Sequence, residues 1–67
     1  MLVKHSFSLA GHRTSVALEP EFWAALTALA AARGLTLAGL IVAVDAARTP
    51  DQPLASALRV LALTERR

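Results

Sequence analysis

Arg13-Thr14-Ser15-Val16-Ala17-Leu18-Glu19-Pro20 is the stretch on which the fold turns. Its first six residues alternate. Val16 and Leu18 share one face, while Arg13, Ser15 and Ala17 share the other, with β-branched Thr14 and Val16 favouring extended backbone. Such alternation reads as a half-buried strand. Glu19-Pro20-Glu21 then changes the period, because proline suits the first helical turn and carboxylates there complement the helix dipole. A strand therefore runs almost directly into a helix.

Working outward toward the N-terminus, Ala10-Gly11 interrupts a second alternating segment, His5-Ser6-Phe7-Ser8-Leu9. Residues 4–9 read either as another strand or as an extended arm carrying Lys4 along its length. A single strand cannot satisfy its own backbone groups, and an isolated hairpin is marginal in water. Toward the C-terminus, Phe22, Trp23, Leu26, Leu29 and Ala30 fall at helical spacing as one apolar stripe. Arg33-Gly34 ends that helix, with glycine free to turn left-handed. Thr36 is a good N-cap for a second helix over residues 37–48, which is apolar nearly all round through Leu37, Leu40, Ile41, Val42 and Val44. Within it, Asp45 and Arg48 stand at the i, i+3 spacing of an ion pair. Residues 49–53 form a loop, and a third helix over 54–63 sets Leu54, Leu58, Leu61 and Ala62 on one face. Glu65-Arg66-Arg67 is a solvated tail. The expected division is 1–11 as arm or extra strand, 12–48 as core unit, and 49–67 as loop and C-terminal helix.

Composition limits what this chain can be. At 67 residues it is at most one domain, and a chain of that size buries only about 60% of the surface it exposes when unfolded. With no cysteine, disulfides and zinc–thiolate sites are excluded. Yet 55% of the residues are hydrophobic and the mean hydropathy is +0.50. That excess points to a second copy. A membrane span needs about 20 apolar residues, whereas residues 34–44 are an eleven-residue run with two glycines. No signal peptide follows Lys4 and His5, so a cytoplasmic protein is expected. The net charge of +2 is mild, but the first eighteen residues hold Lys4, Arg13 and two histidines and no acid precedes Glu19. Two histidines without cysteine or a nearby carboxylate make a poor metal site, and no nucleophile–base pair or phosphate loop suggests an enzyme. No metal or other cofactor is expected.

In this order and spacing the motifs resemble the ribbon-helix-helix family. Residues 13–20 are similar to that family's ribbon and first-helix start, and Gly34-Leu35-Thr36 to its inter-helix turn; the likeness spans residues 13–48. More narrowly, Ala10-Gly11-His12-Arg13-Thr14-Ser15-Val16, with Asp45-Ala46-Ala47-Arg48 and Ser56-Ala57-Leu58-Arg59, resembles a subfamily of short bacterial proteins of this fold. The resemblance implies a mainly α chain with one strand, forming an intertwined homodimer to which the N-terminal segment and third helix are additions. Val16, Leu18, Phe22, Trp23, Leu26, Leu29, Leu40, Ile41 and Val44 would then be the dimer core. It further implies a two-chain ribbon in the DNA major groove, with Arg13, Ser15 and Ala17 facing the bases. Ala17 could touch only a thymine methyl. Thr36 and the backbone N–H groups of Leu37 and Ala38 would grip a phosphate, and Lys4 another. The function expected is a transcriptional repressor or autoregulator. The alternative is a protein-interaction module that uses its third helix to join a partner or build tetramers.

Overall fold

A computed structural model describes residues 1–65. Its elements are strands β1 (Val3–Leu9) and β2 (His12–Leu18), then helices α1 (Pro20–Ala32), α2 (Leu37–Ala47) and α3 (Leu54–Thr64). The two strands pair antiparallel in one two-stranded sheet, with Leu9 opposite His12 and Val3 opposite Leu18.

This hairpin corrects the expectation of one strand per chain. Ala10 and Gly11 sit at φ 50° and 81°, and two positive φ values in a two-residue loop are the signature of a turn matched to the twist of a hairpin. The break between the two alternating segments is therefore a reversal. β1 supplies the backbone partners that β2 needs, so a second chain is not required for them. Its place is fixed by more than pairing: the Trp23 indole N–H donates to the Val3 carbonyl at 2.8 Å. The same ring meets His5 edge-on at 4.5 Å and Phe7 at 6.0 Å.

The helices end where the sequence says they should. Gly34, at φ 70°, lets the Leu35 N–H reach back to Ala30 O (2.8 Å) and its own N–H to Ala31 O (3.1 Å). Those two bonds satisfy the last carbonyls of α1. Thr36 Oγ1 then accepts from the Gly39 N–H at 3.0 Å, capping α2. Arg48 closes the other end, bonding Asp45 Oδ1 at 2.9 Å and the Gln52 carbonyl at 2.8 Å, so the loop into α3 is clamped. Arg59 on α3 reaches Glu19 at the β2–α1 junction (2.8 Å) and lies 5.7 Å over the Phe22 ring.

Between sheet and helices lies one core. Leu18, Leu26, Leu40, Ile41 and Leu58 are its fully buried side chains, drawn from β2 and all three helices. Val16 and Trp23 are buried as well, and Phe22, Leu29 and Val44 are half-buried against them. All nine residues expected in the core thus pack into this one cluster. Glu65 is exposed yet bonded to Arg33 at 2.8 Å, while Arg66 and Arg67 of the expected tail lie outside the described residues.

Candidate nucleic-acid interface

Because opposed residues of an antiparallel pair point the same way, the register sorts the hairpin into two faces. Val3, Phe7, Leu9, Thr14, Val16 and Leu18 face the helices, as do His5 and His12 at the more open positions. The opposite face carries three cross-strand pairs: Lys4 with Ala17, Ser6 with Ser15, and Ser8 with Arg13. Five of these six side chains are exposed, and Ala17 is half-buried. The expected outward set of Arg13, Ser15 and Ala17 is on one face, and Lys4 stands on that face rather than on a separate arm.

The chemistry of the face is that of a polar, cationic ribbon. Lys4 lies at the helix end and Arg13 near the turn, with hydroxyls between them. Ser6 Oγ and Ser15 Oγ are 3.0 Å apart, one donating to the other, which leaves each hydroxyl with unused acceptor capacity. Charge pairing separates this face from the rest of the molecule. Among the described residues, Arg33, Arg48 and Arg59 each meet a carboxylate at 2.8–2.9 Å, whereas Lys4 and Arg13 meet none. Lys4 and Arg13, side-chain cations without a carboxylate partner among the described residues, therefore share one face of one hairpin.

At the start of α2, Thr36 is exposed and committed to Gly39, Leu37 is half-buried, and Ala38 is exposed. The first N–H groups of a helix have no intrahelical acceptor, so those of Leu37 and Ala38 remain open to a ligand in the way the capped Gly39 does not. Among the described residues no cluster of histidines and carboxylates could hold a metal ion. No single helix among them is long and apolar enough to cross a membrane.

Sequence reasoning missed Ser6 and Ser8 as members of the polar face. The signal was present, since Ser6 and Ser8 alternate with Phe7 and Leu9 in phase with the second strand across Ala10-Gly11. It also missed that Arg59 holds α3 to the β2–α1 junction, a contact forty residues apart in the chain that periodicity cannot reveal.

Residues 2–65 match the family described as ribbon-helix-helix domain, extending the likeness beyond residues 13–48 on both sides. No curated protein and no solved structure matches the chain. Ribbon-helix-helix domains generally bind DNA as dimers and act as transcription regulators, and they are typically non-enzymatic.

Proposed function

We propose, because the chain belongs to the ribbon-helix-helix domain family, that it is a sequence-specific DNA-binding protein of the bacterial cytoplasm, a repressor or autoregulator working as a homodimer. One observation carries this reading. The cations without a carboxylate partner among the described residues, Lys4 and Arg13, stand with three serines on the exposed face of a two-stranded ribbon. A major groove admits such a ribbon, and its base pairs offer distinct donor and acceptor patterns. In this role Arg13 pairs with guanine, Ser15 serves a donor or an acceptor, and Ala17 contacts a thymine methyl. Lys4, and the N–H groups of Leu37 and Ala38 beside the Thr36 cap, hold phosphates.

The direct test is an electrophoretic shift of genomic fragments by the intact chain, repeated across salt concentrations. Binding that weakens steeply with salt, with a fragment preference that persists, supports the reading. Absence of any shift at low salt rejects it.

A second reading has its own observation. The outer sides of α2 and α3 leave apolar surface open, with Val60, 51% exposed, lining a groove together with Ala43, Val44, Ala47 and Leu61. In that reading the chain is an interaction or oligomerisation module, and the groove takes the second copy or builds tetramers. Val60→Asp separates the two. Loss of the dimer in sedimentation with DNA binding lost alongside it ties the groove to regulation. Loss of association in a chain that never bound DNA favours the module.

A further inference from the structure

The groove between α2 and α3 runs along α3 from Gln52 to Thr64. Arg48, bonded to the Gln52 carbonyl, lines its first end, and Arg33, bonded to Glu65, lines the other. Between them the walls are small or aliphatic, chiefly Ala43, Ala47, Ala57 and Leu61. On the outer shoulder of the same helix stand Val60 and Leu63, each more than half exposed. Their i, i+3 spacing makes them a ridge along one face. Helices pack by setting the ridge of one into the groove of another. Here one helix carries both, so its surface is complementary to itself.

Charge selects the direction in which two such surfaces meet. Asp51 is exposed just ahead of α3 and meets no cation among the described residues. Arg33 is exposed at the far end of the groove and donates to Glu65 through one terminal nitrogen. A guanidinium has five N–H donors, so it has capacity for a second carboxylate. Two copies related by a two-fold axis with their α3 helices antiparallel bring the start of each helix to the end of the other. Asp51 of each copy then comes beside Arg33 of the other. A parallel arrangement would set Asp51 against Asp51.

We propose that α3 forms an antiparallel contact between two copies of this chain, in which Val60 and Leu63 of each copy seat in the α2–α3 groove of the other and Asp51 pairs with Arg33 at both ends. This deepens the reading in which the groove takes a second copy, and rests on it. The outward face of the hairpin, which carries Lys4, Arg13 and the serines, points away from the helices and takes no part. The α3 contact therefore doubles whatever unit is built elsewhere on the chain.

The test is sedimentation equilibrium of the full chain over a range of concentrations, beside Leu63→Asp, Asp51→Lys, Arg33→Glu and the double variant Asp51→Lys/Arg33→Glu. All three positions are exposed, so every variant should keep the parental circular dichroism. The expected result for Leu63→Asp is a species of half the parental mass. Each single charge reversal should weaken association about fivefold or more, the scale of two exposed ion pairs. The double variant should return to the parental constant, because the two reversals restore opposite signs across the contact. A double variant as weak as the singles overturns the antiparallel arrangement. If Val60→Asp lowers the mass while Leu63→Asp or the charge variants associate as the parent does, this contact is overturned and the groove reading survives. If Val60→Asp and Leu63→Asp both keep the parental mass, the contact and the groove reading fall together, and the DNA-binding reading stands apart from both.

Discussion

The two faces of the hairpin share a backbone and differ in everything else. Turned inward, Leu9, Val16 and Leu18 are almost fully buried. Turned outward, Lys4, Ser6, Ser8, Arg13 and Ser15 are exposed, and Ser6 and Ser15 hydrogen-bond each other. A period of two assigns each residue to one face, so neighbours in sequence have separable duties. Substitutions on the inner face should therefore cost stability, and those on the outer face should cost binding alone.

The largest effect is expected at Leu18, which has no exposed surface and packs with Leu26, Leu40, Ile41 and Leu58. Leu18→Ala removes buried methyl groups and leaves a void, which costs about 2–5 kcal/mol in comparable cores. Chemical denaturation should show this loss. A change under about 0.5 kcal/mol, the range of surface substitutions, would mean that the faces are reversed.

On the outer face, Arg13→Ala should cost about 1–3 kcal/mol in binding to a preferred duplex while leaving the denaturation midpoint where it was. Lys4→Ala should weaken preferred and random DNA alike and flatten the salt dependence by about one charge. Binding isotherms at two salt concentrations check both. An Arg13→Ala chain with parental affinity for every duplex removes the outer face from recognition.

The turn between the faces offers a smaller, stabilising change. Ala10 is held at φ 50°, where a side chain with a Cβ is strained and asparagine is tolerated best. Ala10→Asn should raise stability by about 1 kcal/mol, the scale of such left-handed strain. A destabilised Ala10→Asn chain would argue against a two-residue turn at this position.

Much of this architecture was legible in the sequence. The assignment of Val16 and Leu18 inward, the Thr36 cap, the Asp45–Arg48 pair and the burial of Trp23 all follow from local spacing, and the structure has them. What local spacing could not decide was the partner of β2. Residues 4–9 alternate as well as residues 12–18 do, but nothing in a period of two tells whether a strand pairs with its neighbour or with another copy. The turn residues decide that, and Ala10 is a weak turn former whose positive φ is not suggested by its type. Ser6 and Ser8 were overlooked because their alternation, though visible in the sequence, joins the face of Arg13 and Ser15 only when β1 pairs with β2. The Glu19–Arg59 contact was hidden differently, since an ion pair across forty residues has no periodic trace.

That contact gives the smallest effect and ties the hairpin to α3. A backbone hydrogen bond at Glu19 itself, and then the bond from Arg59, hold the Glu19 carboxyl below its ordinary value. The unfolded chain therefore takes up this proton at a higher pH than the folded chain does. Stability from the pair is complete above about pH 4.3, the unperturbed glutamate value, and drains away as the pH falls through the lower folded value. The pair is solvent-exposed, so the effect should be slight and should shrink in high salt. Glu19→Gln removes the titrating group and keeps its size. Thermal melts of parent and variant from neutral pH downward should therefore differ by a small constant amount until the carboxylate protonates, and then converge. Arg59→Lys keeps the charge but loses the guanidinium fork above Phe22, so it should weaken α3 docking at every pH while leaving an acid-dependent part. If parent and Glu19→Gln melts superpose across the whole range, the pair adds nothing to holding α3 against the hairpin. The apolar contacts of Leu54, Leu58 and Ala62 would then account for that docking by themselves.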